Sequence, residues 1–248
     1  MPDYDFRSPR LFVDAALAAG GVVALDRAQT HYLAHVLRLK SGDRVLAFNG
    51  RDGEWSASLE AGKRVTTLVI GAKTRQQTEA ADLHYLFAPL KAARLDYMVQ
   101  KAVEMGVSRL VPILTRHGQV SRVNPERMRA NAVEAAEQCG ILSLPDIAPP
   151  LALSRYIAER DPERWLIFCD EGADVANPAA ALSAAKPQAG AGLAVLVGPE
   201  GGFAEDERAA LLREPNVVRL SLGPRILRAD TAAVAALALA QTVLGDWR

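Results

Sequence analysis

The sequence has only two cysteines, Cys139 and Cys169, and no C-x-x-C pair. That excludes a disulfide framework, suits a reducing compartment and argues against a structural zinc site. Four histidines, none in H-E-x-x-H spacing, give no metal motif. No apolar run approaches the roughly 20 residues needed to cross a membrane. The start, Met1-Pro2-Asp3-Tyr4-Asp5, is acidic and lacks the basic and apolar regions of a signal peptide, so a cytoplasmic location is expected. Charge of one sign is also missing: 29 Lys and Arg balance 29 Asp and Glu. Electrostatics therefore do not announce a nucleic-acid binder, and any RNA binding must come from a local patch and from shape. G-x-x-x-x-G-K-[ST] and G-x-G-x-x-G are both absent, which disfavours a phosphate cradle and a nicotinamide dehydrogenase.

What is present lies near the C-terminus. Two apolar runs each end in a glycine-bearing loop. Leu193-Ala194-Val195-Leu196-Val197 leads into Gly198-Pro199-Glu200-Gly201-Gly202. Val217-Val218-Arg219-Leu220-Ser221-Leu222 leads into Gly223-Pro224-Arg225-Ile226-Leu227-Arg228-Ala229-Asp230-Thr231. Short apolar runs bounded by turn residues read as buried parallel strands. Ligands of open α/β sheets bind at the carboxyl ends of such strands. The glycines let main-chain groups approach a ligand closely. Glu200, the single charge in the first loop, suits a ligand with hydroxyls, amino groups and positive charge. S-adenosylmethionine is one such ligand, although composition does not single it out. An ordinary tight turn is the alternative for either loop alone; two such loops so close together weaken it.

Val197-Gly198-Pro199-Glu200-Gly201-Gly202-Phe203 and Leu222-Gly223-Pro224-Arg225-Ile226-Leu227-Arg228 resemble the two signature loops of the bacterial 16S ribosomal RNA uridine-N3 methyltransferases of the SPOUT class. The resemblance extends over essentially the whole chain. It implies an α/β chain: a small PUA-like RNA-binding β-barrel over 1–74, then a trefoil-knotted SPOUT domain over 75–248 with a mainly parallel sheet. It also implies S-adenosylmethionine as cofactor, 16S RNA in the 30S subunit as substrate and a homodimer, with no metal and no membrane. Two positions depart from the family pattern. Ala204 stands where Thr or Ser is usual, losing an N-cap hydroxyl. Asp230 stands where Glu is usual, shortening the reach of the carboxylate.

Residues 1–72 read as mostly β. Leu11–Val13, Gly21–Leu25, Asp43–Phe48 and Val65–Ile70 are strand-like, and Asn49-Gly50 and Asp52-Gly53 are hairpin signals. Thr30 to Arg38 reads as a short helix with Thr30 as N-cap. Residues 1–75 hold 11 Lys and Arg against 8 Asp and Glu, a small local excess. Arg10, His31, Val36-Leu37-Arg38, Gly42-Asp43 and Asn49-Gly50 match the family's first domain. Arg7, Arg10, His31 and Arg38 are candidate RNA contacts, weighed against solvated charge on a barrel surface. Lys73 to Asp82 is polar, without apolar periodicity, and reads as a linker.

From Leu83 the pattern alternates strand and helix. Leu83–Ala88, Arg109–Leu114 and Trp165–Asp170 are strands, and Lys91–Met105 and Pro125–Cys139 are helices stopped by Gly106 and Gly140. Thr115 to Arg122 follows a strand end and carries Arg116 and Arg122, favoured here as RNA contacts. Glu205-Asp206-Glu207 complements the start of a helix. The last helix, Thr231–Leu244, is Ala-rich and apolar nearly all round, so it is expected to be buried in the core or in a subunit interface.

The expected chemistry is loss of the uracil N3 proton with the sulfonium methyl held in line. The resemblance assigns the cofactor to Leu196, Val197, Gly198, Pro199, Glu200, Gly201, Gly202, Leu220, Leu222, Gly223, Ile226 and Leu227. Arg228 is expected to orient uracil, with Arg225 as an RNA contact. Asp230 or Glu200 is expected to assist proton loss; the alternative role for Asp230 is an N-cap, and for Glu200 a hold on the cofactor's amino group. The alternatives are a sister SPOUT enzyme with another RNA nucleoside as target and a non-catalytic RNA-binding assembly module.

Overall fold

The computed structural model describes residue 5 and residues 7–62, 66–174, 177–185, 187–188 and 190–247. Met1–Tyr4 of the acidic start and Val65 at the head of a predicted strand lie outside the described residues. The chain divides into two compact units. One comprises residues 1–79 and 133–144, the other residues 80–132 and 145–248.

The first unit is built on β1 (Arg10–Phe12), β2 (Val22–Ala24), β3 (Arg44–Phe48), β4 (Glu54–Ala61) and β5 (Thr66–Arg75). They form one sheet in the order β1-β3-β4-β5-β2. Among the described residues of this sheet, only the β1–β3 pairing is parallel. The sequence predicts a small barrel here, and the sheet forms a half-barrel. Its core gathers Val13, Leu33, Val45, Leu59, Leu68 and Ile70.

Three local expectations are corrected. The helix α1 (Arg27–His31) starts at Asp26, not Thr30: Asp26 and Gln29 form a reciprocal capping box that sets the start earlier. A π-helical turn over Tyr32–Val36 extends α1. Strand β5 runs on through Lys73-Thr74-Arg75, which had read as linker, because Thr74 Oγ1 bonds Glu54 of β4.

The second unit holds β6 (Leu83–Phe87), α2 (Ala92–Glu104), β7 (Arg109–Leu114), α3 (Pro125–Cys139), β8 (Asp146–Ile147), β9 (Leu151–Ala152), α4 (Leu153–Glu159), β10 (Trp165–Cys169), α5 (Pro178–Ala185), β11 (Leu193–Val197), α6 (Glu205–Leu211), β12 (Val217–Leu220) and α7 (Ala229–Val243). The last part of α3 clusters with the first unit. The sheet order is β12-β10-β11-β6-β7-β8, and every pairing is parallel. Strand β11 is buried along its whole length, as a continuous apolar run between two parallel neighbours should be.

Gly106 and Gly140 take positive φ at the helix ends where they were expected to act as stops. Gln241 of α7 is buried and donates to the Met105 carbonyl at 2.6 Å, satisfying an orphan acceptor at the end of α2. Helix α7 is not buried all round. Ala232, Ala233, Ala236, Leu237 and Ala240 face the core, whereas Val234, Ala235, Ala238 and Leu239 are half-buried.

Candidate functional site

A cavity of about 700 Å³ opens at the carboxyl ends of β10, β11 and β12. That volume lies within the usual range for a small-molecule site, about 300–1,000 Å³. The three loops leaving these strands form its walls. The β11 loop contributes Val197, Gly198, Pro199, Glu200 and Gly202; the β12 loop contributes Leu222, Gly223, Arg225, Ile226 and Leu227, with Leu220 at the strand end. Two expected residues are placed elsewhere. Leu196 is fully buried inside β11, where the pleat turns it into the core. Gly201 is exposed and lies against His117, whose Nδ1 is 3.2 Å from the Gly201 carbonyl oxygen.

The glycines have geometric reasons. A Cβ at Gly198 would lie 2.4 Å from the Phe203 ring, and that ring packs edge-on against Phe168 of β10. Gly223 has φ +100°, in the region that favours glycine. The first loop can therefore lie flat under Phe203 and present main-chain atoms to the cavity.

The third wall, Cys169 to Asp174, was not anticipated. Asp170 is 6% exposed and organises it. Its carboxylate accepts from Arg208 Nε at 3.0 Å and from Arg219 Nη2 at 2.8 Å. It also accepts from the Gly172 amide at 3.0 Å, and both arginines donate to the Gly172 carbonyl. One carboxylate thus ties β10, α6 and β12 together at the cavity floor. Burial pushes the neighbouring Cys169 thiol up to about 12, so it stays protonated and is a poor nucleophile.

Glu200 projects from the first loop and pairs with Arg94 of α2. Arg228 is exposed at the N-cap of α7 and is not on the cavity wall. Asp230 is not an N-cap: that position is Arg228, and Asp230 sits in the first turn with Oδ1 accepting from the Thr231 amide at 3.0 Å. Ala204 is the N-cap of α6, and only half a capping box forms. Glu207 Oε2 accepts from the Ala204 amide at 3.0 Å, while no side chain returns the bond.

The Thr115–Arg122 loop is held from the α6 side. The Arg116 amide donates to Glu207 at 2.9 Å, and its guanidinium pairs with Asp206 at 2.6 Å. Arg116 remains well exposed, as does Arg122. In the first unit, Arg7, His31 and Arg38 are exposed. Arg10 is not available to an RNA. It is buried, bonds Glu54 at 3.0 Å and donates to the Asp5 carbonyl at 2.8 Å. A buried carboxylate such as Glu54 demands a cationic partner, and Arg10 supplies it.

Comparison with known proteins agrees with this architecture. Residues 77–241 match a family model described as an RNA methyltransferase domain, and residues 25–69 match one described as an RNA methyltransferase PUA domain. The ribosomal RNA small subunit methyltransferase E of Rickettsia conorii is 30% identical over 231 residues, covering 92% of this chain and 93% of that protein. The chain belongs to this RNA methyltransferase family. A Synechocystis protein of the same name is 29% identical over 95% of this chain and 78% of its own length. Among solved structures, a Legionella pneumophila protein in complex with bound SAM has TM-score 0.81 at 27% identity, covering 95% of this chain and 98% of its own. The small subunit methyltransferase E of Neisseria gonorrhoeae has TM-score 0.83 over 98% of this chain and 100% of its own; at 24% identity it speaks to the fold alone.

The two glycine loops are therefore two walls of a three-walled site. The third wall carried only a weak signal in the sequence: Cys169-Asp170-Glu171-Gly172 reads as an ordinary strand end. A polar cluster closing an apolar parallel strand was the available clue.

Proposed function

We propose that this chain transfers the methyl group of S-adenosylmethionine to N3 of a uridine in 16S ribosomal RNA, acting on the 30S subunit. The observation that carries the reading is the cavity at the ends of β10–β12, walled by both glycine loops. The residues present fit the cofactor. Gly198 and Gly223 leave the main chain accessible, and Glu171 and Asp174 on the walls match hydroxyls, an amino group and a sulfonium. When bound, S-adenosylmethionine supplies an electrophilic methyl on positive sulfur.

The chain's own residues do the rest. Main-chain groups of Val197–Glu200, Gly202 and Leu220–Leu227 hold the cofactor, and the Asp170–Arg208–Arg219 cluster keeps the three walls in register. Arg225 on the wall and exposed Arg228 at the start of α7 offer permanent cations to the RNA. Of the two candidate bases, Glu200 lines the cavity whereas Asp230 is bonded in its own helix turn. The N3 proton passes to Glu200. Exposed Arg7, His31 and Arg38 of the first unit, with Arg116 and Arg122, add RNA contacts. The half-buried apolar face of α7 supports a homodimer, and the knotted chain path and cytoplasmic location belong to the same reading.

Two measurements test it together. Calorimetric titration with S-adenosylmethionine should give saturable one-site binding. Methyl-labelled cofactor should then label 30S subunits from a strain lacking this protein. Cofactor binding without any label in 30S subunits or naked 16S RNA would favour a sister enzyme with another target. No cofactor binding would favour a non-catalytic RNA-binding module.

A further inference from the structure

A second cavity of about 180 Å³ meets the first at Pro199 and Glu200. Its remaining wall comes from three segments: Pro89, Leu90 and Lys91 after β6, Arg94 in the first turn of α2, and Gln119 and Val120 after β7. It is too small for a nucleoside cofactor and matches a single planar ring. Pro89, Leu90, Val120 and Pro199 offer apolar surface, while Arg94, Lys91, Gln119 and Glu200 supply polar groups.

The electrostatics of this space are specific. Lys91 is the N-cap of α2 and makes no side-chain cap, and the first turn of α2 holds no acidic residue. The helix start and two cations thus face the space with one carboxylate, Glu200. Glu200 pairs with Arg94, but the two side chains are 43% and 36% exposed, so the pair is a surface one and opens readily. The Gln119 loop is held to the rim: Arg116 bonds Glu207 and Asp206, and His117 bonds Gly201.

We propose that this smaller cavity receives the flipped-out target base, with Arg94 donating to a uracil carbonyl oxygen and Glu200 facing N3. This rests on the methyl-transfer reading above. The base leaves its stack to reach such a site. Uracil presents N3–H as a donor between two acceptor oxygens, whereas cytosine presents an N3 lone pair. A carboxylate facing N3 therefore accepts from uracil and repels cytosine. In the step itself the N3–H bond breaks and its proton goes to a Glu200 oxygen. The N3 pair forms the bond to the methyl carbon, and the methyl–sulfur pair stays on sulfur, leaving the neutral thioether. Arg94, released from Glu200, stabilises the charge developing on the carbonyl oxygen.

The test uses the whole protein. Glu200→Gln and Arg94→Ala, both at exposed side chains, are first checked for wild-type thermal unfolding. Glu200→Gln should keep S-adenosylmethionine affinity within about threefold, while single-turnover transfer falls by about 10²- to 10⁴-fold, the usual contribution of a general base. Arg94→Ala should fall comparably, and Arg94→Lys should recover only part, since lysine lacks the planar fork. A second arm does not depend on catalysis. Uridine 5′-monophosphate, titrated into protein saturated with S-adenosylhomocysteine, should shift the amide resonances of Arg94, Gln119 and Val120. Cytidine 5′-monophosphate should shift them far less. Those shifts without any label transfer to RNA would leave the pocket standing and overturn the uridine-N3 reaction. Loss of cofactor affinity above tenfold in Glu200→Gln with transfer unchanged at saturation would overturn the pocket, as would uridine shifts confined to other residues.

Discussion

The ring of Phe203 lies directly over Gly198, where a Cβ would sit 2.4 Å from the ring's Cε2. The contact joins the first glycine loop to the core, since Phe203 also packs on Phe168 at a centroid distance of 5.1 Å. Gly198→Ala must displace the ring or the loop. We expect S-adenosylmethionine affinity to fall at least about tenfold, equivalent to about 1.4 kcal/mol. Gly198→Ala with Phe203→Leu should recover part of it by calorimetry.

Asp170 holds two arginines at once. Asp170→Ala leaves Arg208 and Arg219 facing each other without a counter-charge. Their partial exposure softens the cost, so a destabilisation of about 2–3 kcal/mol is expected, below the full range for a buried pair. Urea unfolding measures it. Asp170→Asn, which keeps one acceptor oxygen, should lose less.

Ala204 caps α6 without a hydroxyl, while Glu207 already makes its half of the box at 3.0 Å. Ala204→Ser should complete it and stabilise by about 1 kcal/mol. For a chain of this size that raises Tm by about 2–4 °C.

Asp230→Asn keeps the bond to the Thr231 amide, because an amide oxygen also accepts. Turnover close to wild type is expected. A loss as large as that predicted for Glu200→Gln would move the base to Asp230.

Two groups give stability opposite dependences on pH. Burial, with Arg164 nearby, pushes His84 down to about 4. Its contribution is present above pH 6.5 and is lost as pH falls toward 4. Burial pushes Glu137 up to about 7, against the Phe12 amide bond that favours its charged form. Its contribution is complete below pH 4.5 and is lost as pH rises toward 7. Between pH 4.5 and 6.5 the two oppose. Glu137→Gln should steepen the rise of stability with pH there, and His84→Gln should flatten or reverse it. Urea midpoints across pH 4–8 test both.

The parallel sheet was legible because short apolar runs alternate with helical patterns, and β11 is an uninterrupted apolar run that ends in glycine. Runs such as Leu193–Val197 leave no choice of face. Strand β4 was not legible: Glu54-Trp55-Ser56-Ala57-Ser58-Leu59-Glu60-Ala61 alternates, but small residues and two carboxylates hide the pattern. Glu54 is buried there because Arg10, Thr74 and Arg75 reach it from elsewhere. Within the site, main-chain walls could be read from glycine spacing. The Asp170 cluster and the smaller cavity could not, since each joins residues many positions apart. The grouping of 133–144 with the first unit is of the same kind: a Glu137 oxygen accepts from the Phe12 amide, and Arg75 donates to the Gly140 carbonyl.

The most direct test of the account is the identity of the methylated nucleoside. Labelled 16S RNA from reacted 30S subunits would be digested and its nucleosides separated by chromatography and mass spectrometry. A single labelled product, 3-methyluridine, is expected, formed about 10²- to 10⁴-fold more slowly by Glu200→Gln. Label in a ribose, in cytidine or at another position of uracil would contradict it.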